Sequence, residues 1–273
     1  MLLLNRLRQG PVEGVQVGYS PTRFVRPLPV WFYYVDGLLI DTGSRHTQRA
    51  VLDVCRPLPI DRILLTHFHE DHAANAAALR RQHGAPVLAG PLTADRIASA
   101  FPLLPYERFW FGPIDPCPGA LPLPPVVDTA RYRLLPIATP GHSDDHHVFL
   151  EEREGWLFAG DFYIGNLKIF RRGEDIYRMI AATRHLLTYD FDVVFCGHNP
   201  VLRQGRQAVA RKLDYLETLV ERTLDAYRRG LSVGQIVRAV GLREGWLLKV
   251  FTGNDVGADY LIRSILAPSV NEK

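Results

Sequence analysis

The 273-residue sequence predicts a layered α/β protein with a helical C-terminal extension. Three observations carry that reading. Short apolar or aromatic runs alternate with Ala- and Leu-rich segments of helical spacing as far as about residue 200, the strand–loop–helix order of a layered fold. From residue 204 onward the texture is helical throughout. The side chains able to carry chemistry stand immediately after the predicted strands.

Taken in chain order, Val30-Trp31-Phe32-Tyr33-Tyr34-Val35 and Leu38-Leu39-Ile40 flank Asp36-Gly37, which reads as a hairpin with an Asp-Gly turn. A loop at Asp41-Thr42-Gly43-Ser44 and a helix over 47–54 follow. Residues 62–65 form a short apolar strand that ends at Thr66. Residues 73–82 are helical in composition and stop near Gly84, a left-handed cap position. Residues 86–89 read as a strand and 93–100 as a helix. The segment 101–125 holds eight prolines and five aromatic residues, and no regular structure is expected there. It is too apolar for a solvated linker, and reads either as a loop packed on the surface or as a wall over a pocket. Strands are expected at 133–138, 147–150, 156–159 and 192–196, and a helix at 174–187. The extension holds a long amphipathic helix at 208–229, one capped by Ser232 and running to Val240, and a last one at 255–266.

Composition narrows the class. With 47% apolar and 22% charged residues the chain is ordinary for a globular protein and long enough to bury a core without metal or disulfide staples. The net charge of +3 is small, and 28 of the 32 basic residues are arginine, scattered rather than clustered. Charge alone therefore does not favour a nucleic-acid partner. Cys55, Cys117 and Cys196 are widely spaced and form no Cys-x-x-Cys pair, which suits a reducing compartment. The apolar run of residues 1–4 is too short for an export signal, and no stretch reaches the roughly 20 apolar residues of a membrane span. A cytoplasmic location without membrane attachment is the expectation.

The strongest chemical signal is His67-x-His69-x-Asp71-His72, four metal-capable side chains within six residues directly after a strand. Alternate residues of an extended segment point the same way, so His67 and His69 can face one ion together. Asp71 and His72 stand where the chain turns toward helix and can face a second ion. Imidazole suits zinc and iron, and carboxylate suits the harder ions. Three more polar points follow strands: Pro140-Gly141-His142 with Ser143-Asp144-Asp145-His146, Gly160-Asp161, and Gly197-His198. Each places a glycine before the ligand-type residue, where the backbone can turn sharply and another chain can approach.

With these motifs in hand, the chain resembles the metallo-β-lactamase superfamily over roughly residues 25–200, in the style of its glyoxalase II-like and lactamase-like hydrolases. The resemblance implies a four-layer αββα sandwich with its site at one sheet edge. It implies that His67, His69 and His142 hold one metal, that Asp71, His72 and His198 hold a second, and that Asp161 bridges them. Asp41 would support the site from behind. Residues 1–203 would form the catalytic domain and 204–273 a helical subdomain covering it. Ala73-Ala74 stands where glyoxalase II proteins often carry Gly-Gly, which sets this chain apart from glyoxalase II proper.

The expected activity is a metal-dependent hydrolase that turns a metal-bound hydroxide on a small ester, thioester or lactone, with Asp71 orienting the hydroxide and shuttling a proton. Two divalent ions are expected, zinc first, with iron or manganese as alternatives. The partner is a small-molecule substrate, and a homodimer is compatible with the reading. Competing activities are a phosphodiesterase or ribonuclease on the same metals, an iron-dependent oxidoreductase like the persulfide dioxygenases, and a binding protein without turnover. Among the remaining residues, His146 and His147 read as structural or supporting, or else as facing substrate, and Tyr163 as a core residue or a donor to substrate. Phe170-Arg171-Arg172 reads as a solvated turn or an anion site. His46, His83 and His185 read as incidental, and Cys196 as buried in a strand.

Overall fold

A computed structural model describes residues 1–22, 24–165 and 167–270, without the side chains of 268–270. Strands β1 (Leu2–Gln9) and β2 (Val12–Tyr19) form one antiparallel hairpin, and β3 (Val30–Val35) and β4 (Leu38–Ile40) form the next. The second closes through Asp36 and Gly37 with φ values of 45° and 84°, the left-handed pair that a type I′ turn requires. Strands β5 (Arg62–Leu64), β6 (Val87–Ala89) and β7 (Leu121–Pro122) then add in parallel to complete a seven-stranded sheet in chain order. Each parallel step needs a crossover. These crossovers carry α1 (Gln48–Cys55), α2 (Ala76–His83) and α3 (Pro91–Ile97). Helix α2 stops at Gly84, whose φ of 68° lets its N–H return to the Arg80 carbonyl.

The second sheet has the order β13-β11-β10-β9-β8. Its strands are β8 (Val127–Asp128), β9 (Arg133–Ala138), β10 (His147–Glu151), β11 (Trp156–Gly160) and β13 (Val193–Cys196). Period-two alternation divides the strand residues into layers. Tyr33, Leu38, Ile40 and Leu64 of the first sheet meet Phe149, Phe158 and Phe195 of the second in the space between the sheets. On the far side of the first sheet, Phe32, Leu39, Ile63 and Val87 pack on Val51, Cys55 and Leu79 of the helices. On the far side of the second, Val148, Leu157 and Val194 meet α5 (Ile176–Leu186) and α6 (Gly205–Arg228) through Ala182, Leu186 and Val209. The order is helix, sheet, sheet, helix, as expected. Each buried large side chain in the middle layer is worth roughly 1.5–3 kcal/mol. That packing holds the sheets face to face, so their strand ends open on one edge.

The predicted boundary at 203/204 falls just before α6, and α6 itself spans two cores. Its first half packs on the second sheet. Leu216 and Leu219 join Ile236 of α7 (Val233–Ala239), Leu261 and Ile262 of α9 (Ala258–Val270), and Ile176 and Ile180 of α5. Ser232 opens α7 as expected, and its N–H donates to Gln235 Oε1 at 2.9 Å. A short ladder of β12 (Phe170–Arg171) with β14 (Val256–Gly257) ties the extension to the region below the site.

The segment 101–125 corrects the expectation of no regular structure. Helix α4 (Pro105–Trp110) lies within it, as does β7. Pro105 stands at the first helical position, where its missing N–H costs nothing, and Glu107 accepts the Leu104 N–H at 2.6 Å. Helix α8 (Trp246–Phe251) was likewise not foreseen; Trp246 and Leu247 on it are exposed. No helix among the described residues is long and apolar enough to cross a membrane.

Candidate metal centre

The site forms where strands of both sheets end on the same edge. After β5 come Thr66, His67, His69, Asp71 and His72; after β4 comes Asp41. The β9–β10 connection supplies His142 and His146, the end of β11 supplies Asp161, and the end of β13 supplies His198. Two glycines make the convergence sterically feasible. A Cβ on Gly197 would stand 2.7 Å from both Asp161 Oδ1 and His72 Cε1. A Cβ on Gly160, whose φ is 45°, would stand 2.7 Å from Thr66 Oγ1. Both are closer than a real Cβ tolerates, so only glycine lets these strands deliver their neighbours.

All seven residues anticipated as ligands come together, in two groups. In the first, His69 Nδ1 lies 3.0 Å from His67 Nε2 and 3.0 Å from His142 Nε2. That is close to the roughly 3.3 Å edge of a tetrahedron of nitrogens about 2.0 Å from zinc. The second group is Asp71, His72, Asp161 and His198. His72 Nε2 is 3.1 Å from Asp161 Oδ1, and His198 Nε2 is 3.3 Å from Asp161 Oδ2 and 3.5 Å from Asp71 Oδ2. Asp161 Oδ2 also approaches His142 Nε2 of the first group at 3.5 Å, so this carboxylate stands between the two.

The opposite ring nitrogens decide which lone pairs face inward. His198 Nδ1 lies 2.8 Å from the Pro29 carbonyl, which only accepts, so Nδ1 carries a proton and Nε2 is the nitrogen turned toward Asp71 and Asp161. His72 Nδ1 donates to Asp41 Oδ2 at 2.8 Å, and His142 Nδ1 to Glu174 Oε1 at 2.6 Å. Thr66 gives its hydroxyl proton to Asp41 and accepts from His67 Nδ1 at 3.0 Å. Partners of this kind orient imidazoles that ligate metals. His72 Nε2 and Asp161 Oδ1 are sealed from solvent, and neither makes a hydrogen bond. Orphaned buried groups are costly in a protein interior. A divalent cation fits this donor set.

Electrostatics separate the groups. Burial, reinforced by the adjacent imidazoles, holds His67 and His69 well below the usual imidazole range, so both are neutral. Burial also acts to lower His198, but Asp161 and Asp71 outweigh it and raise its pKa to about 9. The same balance, with Asp161, Asp71 and Asp41 prevailing, holds His72 well above its ordinary value. A divalent cation entering the second group would therefore displace protons. Its affinity is expected to rise with pH toward about 9, with proton release measurable by calorimetry in buffers of different ionisation enthalpy. Uptake without proton release at about pH 7 would contradict that protonation state. In the metal-free protein the sign is opposite: the raised His198 pKa stabilises the fold below about 6.5, and that contribution is lost as pH rises through about 9.

Several residues beyond the seven donors support them. Glu174, at the foot of α5, holds His142, and its Oε2 accepts the Arg171 N–H at 2.8 Å. Asp145 Oδ2 accepts the backbone N–H of Phe68, between the first two histidines, at 2.9 Å. His146 takes the structural part expected of it: its Nε2 accepts the Asp161 N–H at 3.1 Å and its Nδ1 donates to Thr139 at 2.8 Å. The Ser-Asp-Asp-His run after His142 was a visible signal for the last two; Glu174 had none, because its contact is decided by how α5 docks. Phe170 and Arg171 form the short strand β12, and Arg172 begins the exposed turn expected there. Arg171 pairs with Glu107 and Asp255, and Arg172 bonds the Asn254 carbonyl and the Tyr260 hydroxyl. Tyr163 packs against the outer core of the second sheet, and Cys196 is buried in β13.

A sequence profile of the metallo-beta-lactamase superfamily matches residues 25–198. The chain belongs to that superfamily. Curated relatives include the lactamase-like protein nscB of Arthroderma benhamiae, 28% identical over 90% of this chain and 46% of its own length. The thioesterase pkgB of Emericella nidulans is 30% identical over 70% of this chain and 49% of its own length. The chain thus spans about half the length of these relatives. Among solved structures, a metallo-beta-lactamase family protein of Thermus thermophilus aligns with a TM-score of 0.65 at 20% identity, covering 98% of this chain and 94% of its own. A beta-lactamase domain protein of Burkholderia ambifaria aligns with a TM-score of 0.69 at 17% identity, covering 97% and 88%. At these identities the structural likeness speaks for the fold, and this superfamily member carries its histidine and aspartate groups at the edge where the fold brings strand ends together.

Proposed function

We propose that this protein is a hydrolase of thioesters or small carboxylic esters that works with two divalent ions, zinc first among them. The observation that carries the reading is the pair of donor groups with the Asp161 carboxylate between them. Two ions bound there would bring the pKa of a shared water from 15.7 to near 7 and polarise the substrate carbonyl. The chain's own residues do the rest. Thr66, Asp41, Glu174 and the Pro29 carbonyl hold four of the imidazoles with their Nε2 atoms inward, so little reorganisation is needed when charge develops. Asp71 Oδ2, 3.5 Å from His198 Nε2, is the carboxylate placed to take a proton from the attacking water and return it to the leaving thiol or alcohol.

Two features favour an acyl substrate over RNA. The edge of the site is aromatic: Phe68, between the two histidines, packs edge-on against Phe101 at a ring distance of 5.4 Å. The arginines nearby are committed to carboxylates. Arg171 is held by Glu107 and Asp255, Arg96 by Asp144 and Asp145, and Arg45 by Asp115. A phosphodiester backbone gains most of its affinity from cations free to meet it. The names of the thioesterase relatives point the same way.

The test is turnover of a short acyl thioester beside single-stranded RNA under identical conditions. Thioester cleavage that is lost with chelator and restored by zinc is expected. Cleavage of RNA alone would move the protein to the nuclease reading, and oxygen consumption with bound iron to the oxidoreductase one.

A further inference from the structure

Lys212 lies on α6, in the helical extension, and is 2% exposed. Its ammonium group donates to the backbone carbonyl of Phe162 and stands 5.0 Å from the centre of the Phe162 ring. Its partners are thus a carbonyl and an aromatic face rather than a carboxylate. Burying an ammonium costs several kcal/mol, and an apolar side chain would fill the same helix position without that cost. Burial also draws the lysine pKa down to about 8. A charge kept here at such expense calls for a reason in what it holds.

Phe162 directly follows Asp161, the carboxylate between the two donor groups. The turn that carries Asp161 is tied from several sides. Phe162 N–H bonds the Ala159 carbonyl at 2.8 Å, Asp161 N–H bonds His146 Nε2 at 3.1 Å, and the Cys196 thiol bonds the Tyr163 carbonyl. Gly197 N–H bonds the Gly160 carbonyl at 2.7 Å, which joins the turn to the strand end before His198. The sandwich supplies all of these ties. Among the described residues, Lys212 supplies the hydrogen bond that reaches this turn from the extension, and it holds the carbonyl of the residue after Asp161.

We propose that Lys212 is a positioning residue of the metal centre, holding the Phe162 carbonyl so that the Asp161 carboxylate stays between the two histidine groups. The extension is then part of the site's construction rather than only its cover. The inference rests on the two-ion reading above. The Asp71–His72–Asp161–His198 group depends on it more than the three-histidine group, because Asp161 is a member of the former and only a neighbour of the latter.

The experiment is competition of the metal-free protein with a chromophoric zinc chelator, resolved into first and second equivalents. Wild type is compared with Lys212→Met, which keeps the packing and loses the donor, and with Lys212→Arg, which keeps a donor. Loss of a partner behind a metal ligand typically costs about 10–100-fold in affinity. Lys212→Met is expected to weaken the second equivalent by that factor with the first within about threefold, and Lys212→Arg to recover most of the loss. Should Lys212→Met fail to fold by circular dichroism, Lys212→Gln, one atom short of the carbonyl, gives the same comparison. Equal affinities in wild type and variant overturn the proposal, and so does an equal weakening of both equivalents, the mark of a general loosening. A wild-type protein that takes up fewer than two zinc ions overturns the two-ion reading itself.

Discussion

Replacing His69 by alanine is expected to abolish chelator-sensitive hydrolysis while leaving the fold in place. His69 Nδ1 is the hub of the three-histidine group, 3.0 Å from each of the other two nitrogens. Without it, His67 and His142 face each other with no third donor. The loss should be at least as large as that of a single group stabilising a developing oxyanion, about 10²–10³-fold in kcat. The fold should survive because the side chain sits at the strand-end edge and takes no part in the four apolar cores. Circular dichroism and thermal melting check the fold, and steady-state kinetics on a thioester check the chemistry. Unchanged turnover would rule out the mechanism.

Asp41→Ala is expected to have the opposite signature, a large loss of stability that precedes any kinetic effect. Asp41 is buried and accepts from the Thr66 N–H at 2.9 Å, from the Thr66 hydroxyl, and from His72 Nδ1 at 2.8 Å. It does so from a left-handed backbone conformation with φ of 60°, which an aspartate tolerates and an alanine resists. Truncation leaves three buried donors unpaired, one on a histidine whose raised pKa makes it cationic in the metal-free protein. Breaking a buried charged pair costs about 3–5 kcal/mol. Urea unfolding of the metal-free protein should report that loss as a lower midpoint at an unchanged slope. Asp41→Asn separates two contributions: asparagine keeps the backbone conformation and can still accept from Thr66, but cannot serve both Thr66 and His72 as a carboxylate does. A loss of unfolding free energy below about 1 kcal/mol in the alanine variant would mean that Asp41 is not the strut its contacts describe.

What was legible in the sequence was whatever local chemistry determines. The Asp36-Gly37 turn, the Gly84 stop and the Ser232 start were readable because each depends on residues adjacent in the chain. Strands β3 to β6, β9 to β11 and β13 were readable because a buried strand is largely apolar, whereas the β1–β2 hairpin and the two-residue β7 and β8 were not foreseen. The seven donor residues were readable because each follows a strand, in motifs that match a known family. Short elements were not. Helices α4 and α8 have six residues each, too few for periodicity to stand out, and α4 begins at a proline within a proline-rich run.

Tertiary structure alone decided the partners. Glu174 meets His142 across 32 residues, Asp145 meets Phe68 across 77, and Pro29 meets His198 across 169. No spacing rule links such pairs, because they arise from which sheet edge each loop leaves and how α5 docks. Lys212 is the clearest case. In the sequence it is one of four lysines, on an amphipathic helix where solvent is the usual fate of that side chain. Only the packing of α6 against the second sheet turns it inward toward the Phe162 carbonyl. The sequence by itself determined which side chains could hold metal and on which strand ends they stand, because those are properties of residue type and local order. The fold determined which groups stand behind them, because hydrogen bonds between distant segments exist only after the layers have packed.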